Sequence, residues 1–255
     1  MNLLLFSLNS GLLSHLAAGG YENPSIHYIL AGVFALLTCI AAYLLGSVNG
    51  AIIVSRLIFR DDVRRHGSGN AGTTNMLRTY GKTAALLTLL VDLLKTALAI
   101  LFAGLFFGFN YVGGISTGDG FCYVAGLFAV IGHVYPVYYK FKGGKGVLAT
   151  ATMALILTPV PFLLLLLIFI GIVAASKYVS LGSVSVAVLY PVLVNAYFKV
   201  MFSSYDKQLS GLIALSTIVI AILIVWCHRE NLRRISDRTE RKISFKSKKK
   251  DGKEE

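Results

Sequence analysis

Between Tyr28 and Cys227 the chain is a succession of apolar stretches, each near the length that crosses a bilayer, joined by short polar loops. A membrane-spanning helix needs about 20 apolar residues. Tyr28–Ile58, Thr83–Phe109, Phe121–Tyr139, Leu181–Val200 and Leu209–Cys227 meet or approach that length. Val147–Ala175 is too long for one span and too short for two full ones, and Thr158-Pro159-Val160-Pro161 interrupts it. Proline ends helices, so this stretch predicts two short helices meeting at the break. Only 14% of the residues are charged, against about 25% in soluble domains. Six of the 12 acidic and 11 of the 24 basic residues fall in the last 27 positions, leaving too few elsewhere to solvate a globule. A soluble enzyme and a disordered chain are excluded. The expected fold is all-α, a polytopic membrane helical bundle of about seven transmembrane helices.

Charge orients the bundle. Arg60–Lys82 is rich in basic residues, Lys140, Lys142 and Lys145 crowd a later loop, and Asn110–Gly120 has no Lys or Arg. Seven spans with the N-terminus outside and the C-terminus cytoplasmic put every basic segment on the cytoplasmic side, apart from Lys199 and Lys207. One span over Val147–Ala175 would export the basic tail. The net charge of +12 is thereby explained by the bilayer and its anionic lipid, and no nucleic-acid partner is expected. Cys39, Cys122 and Cys227 lie in apolar stretches without metal-ligand spacing; they read as packing residues, and no metal is expected. Residues 1–24 lack the basic region that opens a signal peptide and read as an extension or outer-face helix. Residues 25–235 form the membrane domain. Residues 236–255 read as a polybasic tail, either membrane-adjacent or simply solubilising.

The unusual polar sequences share one face. In DDVRRHGSGNAGTTNMLRTYG (Asp61–Gly81), Gly67, Gly69 and Gly72 let backbone N–H groups converge on an anion, as helix amino ends and nests do. Ser68, Asn70, Thr73, Thr74 and Asn75 add side-chain donors, and Arg64 and Arg78 supply guanidinium forks suited to phosphate. The Gly67-x-Gly69-x-x-Gly72 spacing matches a dinucleotide fingerprint without the βαβ unit that gives it meaning. Thr73 stands where a P-loop needs lysine. A nucleotide site is therefore not expected. In a second cluster, Lys142-Gly143-Gly144-Lys145-Gly146 sets two cations beside bare backbone at the mouth of a short helix; as a topology signal it would explain the lysines but not the interleaved glycines. A third joins Lys177–Ser183 to His228-Arg229-Glu230-Asn231. His228 offers a general base, a donor to a phosphoryl oxygen, or merely an interfacial polar group. Asp92, the acid inside a candidate span, has Lys95 three residues on and predicts a buried ion pair. No histidine is followed five positions later by aspartate, and neither a Gly-x-Ser-x-Gly elbow nor a His-Glu-x-x-His is present, so the large acyl-CoA acyltransferase group, serine hydrolases and zincins lack their signatures.

The stretches GSVNGA (46–51), DVRRHGSGNAGTTNMLR (62–78), GHVYPVYYKFKGGKGVLAT (132–150), KYVSLGS (177–183) and HRENLRRI (228–235), in this order and spacing, resemble one family, the bacterial acyl-phosphate:glycerol-3-phosphate acyltransferases. The departures are Thr73, where the family usually has alanine, and the residues around Ala149–Met153. The extension and the tail exceed the family's usual length. The resemblance implies transfer of a fatty acyl group from acyl phosphate to the sn-1 hydroxyl of glycerol 3-phosphate, giving lysophosphatidic acid in the first step of phospholipid synthesis, without a cofactor. It implies Ser68 and Arg78 as central catalytic residues, with His228 and Asn231, and with Thr74, Asn75, Lys145 and Ser183 around the two phosphates. Lys142–Gly146 becomes the glycerol 3-phosphate side. The expected setting is the bacterial cytoplasmic membrane with the site facing the cytoplasm, and a peripheral enzyme that makes acyl phosphate is an expected partner by pathway logic. An organophosphate transporter is the alternative, although transport sites sit near mid-membrane at broken helices.

Overall fold

The computed structural model describes residues 11–12, 24–108, 117–201 and 207–243, and all its regular structure there is helical. In a bilayer no water reaches the backbone, so each crossing segment must bond its own N–H and C=O groups. The helices are α1 (Pro24–Ser47), α2 (Gly50–Phe59), α3 (Thr73–Tyr80), α4 (Lys82–Phe107), α5 (Thr117–Val134), α6 (Val147–Leu157), α7 (Pro159–Ser176), α8 (Val179–Met201), α9 (Lys207–Cys227) and α10 (Arg229–Ser236). Single 3-10 turns occupy Val63–Arg65 and Val137–Tyr139. Helix α5 is central, packed on α1, α4, α6 and α9, and α8 lies between α7 and α9. Small residues such as Ala42, Ala99, Ala103, Ala125 and Ala129 form the buried crossings, as suits helices that approach closely without a hydrophobic drive. Leu36, Leu94, Leu167 and Ile222 are exposed on the outside, the reverse of a soluble protein and the arrangement lipid solvates.

Helices occupy all seven expected segments. Among the described residues five are long and apolar enough to cross a membrane, or six when the pair Gly211–Cys227 and Arg229–Ser236, bent by 51°, counts as one span. The seventh, α6, has 11 residues, about 16 Å of a hydrocarbon core near 30 Å. The expected break falls at Thr158, whose N–H still bonds the Ala154 carbonyl at 2.9 Å before Pro159 opens α7.

A second break was not expected: Tyr28–Ile58 is interrupted at Val48-Asn49. Asn49 is buried there and caps α2, its Oδ1 accepting from Ile52 N–H at 3.0 Å. The backbone groups freed by the break are taken up by α4. Lys95 Nζ donates to the Val48 carbonyl at 2.6 Å, and Gly50 N–H donates to Asp92 Oδ1 at 3.2 Å. The expected Asp92–Lys95 ion pair is present at 2.8 Å and so also satisfies the broken helix. Residues 1–23 other than 11–12, and 244–255, lie outside the described residues.

Candidate active site

A cavity of about 630 Å³ opens among the loops that join these helices. Its wall includes the first residues of three helices: Thr73 and Thr74 of α3, Val147 and Leu148 of α6, and Val179 and Ser180 of α8. Helix amino ends carry partial positive charge and unbonded N–H groups. Arg78, Lys145, Arg234 and Arg241 add full cations. This mouth is suited to more than one phosphate.

Asn75 organises the loop in front of α3. Its Nδ2 lies within hydrogen-bonding distance of the carbonyls of Val63 (3.2 Å), His66 (3.0 Å) and Asn70 (3.1 Å). Its Oδ1 accepts from Ser68 N–H at 2.9 Å. Gly67 has φ +60°, and a Cβ there would collide with Asn75 Oδ1, so only glycine lets the loop fold onto this amide. Ser68 and Arg78 are then presented, exposed, at the cavity wall. Arg64, expected to face phosphate, is engaged otherwise. It makes a fork on Asp62 (2.9 and 2.7 Å) and donates to the carbonyls of Tyr139 and Lys142 at 3.1 and 3.0 Å, clamping this loop to the second glycine cluster. The Arg64 fork is the main reason that the Asp62 carboxyl is held well below the usual carboxylate range; burial opposes it, and the Arg64 N–H and Arg56 assist.

The opposite wall carries a chain of side-chain contacts. Lys145 Nζ donates to Asn231 Oδ1, and Asn231 Nδ2 donates to Glu240 Oε1 at 2.6 Å. Ser180 Oγ donates to Glu240 Oε1 at 2.9 Å, and Arg234 Nε to Glu240 Oε2 at 2.8 Å. The bend at His228 sets Asn231 over the cavity. Beyond α10, the segment 239–243 folds back along the wall, anchored by Ile243 N–H on the Lys177 carbonyl at 2.9 Å. Thr239, Glu240, Arg241 and Ile243, which fall in the expected tail from 236, thus line the cavity. Burial raises the Glu240 carboxyl, but hydrogen bonds from Asn231, Arg234 and Ser180 outweigh it and leave the pKa lowered. Lys145 is pushed down, first by burial and less by Arg234, with Glu240 opposing. Its charge is therefore lost at lower pH than that of an ordinary lysine, near 10.4. In the free enzyme the alkaline limb of kcat/KM is expected below that value. Lys145→Arg, which stays charged, should move the limb up; an unmoved limb would assign it elsewhere.

Of the expected site residues, Ser68, Arg78, His228, Asn231, Gly67, Asn70, Gly72, Thr74, Asn75, Lys145, Gly146 and Ser183 all line this cavity. Gly69, Lys142, Gly143 and Gly144 stand outside its lining. Lys142 is exposed, and the N–H groups of Gly143 and Gly144 bond the carbonyls of Val134 and His133 at 3.1 and 3.0 Å. His228 is buried, and its Nδ1 is 2.8 Å from the Ile224 carbonyl. A carbonyl only accepts, so Nδ1 carries the proton and Nε2 the lone pair. Residues not expected in the wall include Asp92, His133, Ser180, Arg234 and Glu240. A lone acid, Glu240, and an apolar residue, Ile243, inside a run of cations were the available signal for the segment 239–243.

Beyond the polar mouth the wall becomes apolar. Phe162, Leu165, Leu166 and Phe169 of α7, Ser183, Val186, Ala187 and Tyr190 of α8, and Ala151 and Ala154 of α6 line this part. The spacings of three, four and seven residues keep each set on one helix face. From Ser183 to Tyr190 the stripe descends about 10 Å. A cationic mouth continuous with an apolar slot inside a helical membrane bundle defines a membrane-embedded site for a phosphate-bearing amphiphile. A family model described as glycerol-3-phosphate acyltransferase matches residues 36–238. A glycerol-3-phosphate acyltransferase of Syntrophomonas wolfei is 42% identical over 208 residues, covering 82% of this chain and 96% of the relative. One from Halalkalibacterium halodurans is 40% identical over 211 residues, with the same coverage. The crystal structure of PlsY, an integral membrane glycerol 3-phosphate acyltransferase, in its glycerol 3-phosphate form, superposes with a TM-score of 0.69 at 32% identity, covering 82% of this chain and 96% of that one. The chain belongs to the glycerol-3-phosphate acyltransferase family.

Proposed function

We propose that the protein transfers a fatty acyl group from acyl phosphate to the sn-1 hydroxyl of glycerol 3-phosphate, forming lysophosphatidic acid and releasing inorganic phosphate. The observation that carries this reading is the single cavity in which three helix amino ends and four cations meet an apolar slot. Two phosphate groups, each carrying roughly −1.5 to −2, repel one another, and this mouth offsets that repulsion. An acyl phosphate is an activated anhydride, so neither ATP nor a covalent enzyme intermediate is required. The hydroxyl oxygen attacks the acyl carbon, the bond from that carbon to the phosphate oxygen breaks, and the hydroxyl proton passes to a phosphate oxygen. Donors at Ser68 and the neighbouring backbone stabilise the developing oxyanion. A second route for the proton is favoured by the His228 tautomer, which leaves an Nε2 lone pair at the cavity wall; near-normal turnover in His228→Gln would exclude it.

The slot between α6, α7 and α8 is the place for the acyl chain. Ala187→Phe is expected to slow transfer from a long-chain acyl phosphate at least tenfold more than from a short-chain one, as a bulky group in a close-packed slot must displace chain or protein. Equal effects on both would place the chain elsewhere. The basic loops share the cavity mouth, and by charge asymmetry that mouth faces the cytoplasm of a bacterial cell membrane, where glycerol 3-phosphate is dissolved. Purified protein in detergent, given labelled glycerol 3-phosphate with acyl phosphate, acyl-CoA or neither, tests the reading. Lysophosphatidic acid formed only with acyl phosphate establishes it. Product from acyl-CoA overturns the donor, and organophosphate uptake into liposomes without product would reinstate transport.

A further inference from the structure

Asp92, Lys95 and His133, each at most 3% exposed, are buried together where α4 and α5 meet the break between α1 and α2. Three acceptors lie within reach of Lys95 Nζ: the Val48 carbonyl at 2.6 Å, Asp92 Oδ1 at 2.8 Å and His133 Nδ1 at 2.8 Å. An ammonium has three protons and no lone pair, so the match is complete when Nδ1 accepts. A neutral amine could receive a proton from Nδ1 instead, but it would leave Asp92 a buried carboxylate without its counter-charge, which is strongly unfavourable. Asp92 is itself fixed by Gly50 N–H and stands 3.7 Å from Nδ1. With Nδ1 holding the lone pair, His133 is a neutral imidazole whose proton is on Nε2. That nitrogen lies against Gly144, where a Cβ would collide with it, and the ring forms part of the cavity wall beside Lys145. The glycine of the second cluster makes room for this histidine. His228 in the same wall has the opposite tautomer, with its proton turned away to Ile224.

We propose that His133 is a substrate-binding residue of this cavity, donating Nε2–H to a substrate phosphate oxygen, and that Asp92 and Lys95 are positioning residues that fix its tautomer. The phosphate assignment rests on the acyltransferase reading of the site; the tautomer does not. The first test is nitrogen NMR of full-length, histidine-labelled protein in detergent, with the His133→Gln spectrum identifying one signal among the five histidines. The expected result at pH 7 is a neutral ring protonated on Nε2. A ring protonated on Nδ1, or on both nitrogens, overturns the proposal. The second test is kinetic. His133→Phe keeps a ring but no donor and is expected to lose roughly 10- to 100-fold in kcat/KM. It also removes the Nδ1 acceptor of Lys95, as His133→Gln does, so both variants should unfold at a lower temperature and the difference between them isolates the donor. His133→Gln, whose amide N–H reaches the place of Nε2, should recover most of that loss. His133→Phe within twofold of wild type overturns the substrate contact. Should His133→Phe fail to fold, the Gln variant decides: activity below a hundredth of wild type in folded protein sinks the donor role. Wild-type protein that makes no lysophosphatidic acid would defeat the reading of the site and with it the substrate contact, and the NMR result would still stand or fall by itself.

Discussion

Lys145→Met is expected to lower kcat/KM for acyl transfer by on the order of a thousandfold while the unfolding temperature in detergent stays within a few degrees of wild type. Lys145 stands in the cavity wall at the entry to α6, held by Asn231. Arg78 and Arg241 are exposed, and Arg234 is already paired with Glu240 at 2.8 Å. A charge that meets phosphate in a partly desolvated site acts through a lower effective dielectric than one in water. Removing such a partner costs about 4 kcal/mol, which is a factor near a thousand in rate. Methionine retains the length and apolar stem of lysine, so lost packing does not account for the effect. Glu240 is neutralised by Arg234 and does not become an unpaired buried acid. Steady-state kinetics with both substrates varied gives the outcome. Retention of a tenth or more of wild-type kcat/KM would show that Lys145 does not neutralise a substrate phosphate.

The sequence revealed what local pattern dictates. Apolar length and the Thr158–Pro161 interruption foretold α6 and α7, and the three-residue spacing of Asp92 and Lys95 foretold their pair. The three glycine and cation clusters were legible as anion-suited segments that belong together. Their internal division of labour was not, because it depends on partners far away in the chain. Arg64 reads as a phosphate ligand until the carbonyls of Tyr139 and Lys142 arrive, 75 and 78 residues on. Gly143 and Gly144 read as a phosphate cradle until His133 is seen beside them. The break at Val48-Asn49 lacks any proline, and its remedy comes from Asp92 and Lys95 on another helix. Glu240 was hidden in a basic run, since nothing local shows that Ser180, 60 residues earlier, receives it.

Asn75→Leu is expected to be the most damaging change in the loop before α3, lowering kcat/KM at least a hundredfold. Leucine branches like asparagine but bonds nothing, and at a position 2% exposed its bulkier methyls also press on the backbone that the amide holds. Four backbone groups lose a partner: the carbonyls of Val63, His66 and Asn70, and the N–H of Ser68. At about 1 kcal/mol for each bond, and more for a group left buried and unbonded, the loop no longer prefers the fold that presents Ser68. Because the turn of this loop rests on α2 and α3 rather than on the central helix α5, the bundle should survive, with the unfolding temperature lowered by only a few degrees. A residue that simply touched phosphate would behave differently, since Asn75→Asp would then repel the substrate and leave the unfolding temperature unchanged. In the scaffold role, aspartate keeps the acceptor for Ser68 N–H but turns a carboxylate oxygen, which only accepts, onto the three carbonyls, so Asn75→Asp should lose both activity and unfolding temperature. Measuring both variants for kcat/KM and unfolding temperature separates the two roles, and an aspartate variant that loses activity at an unchanged unfolding temperature would return Asn75 to the substrate.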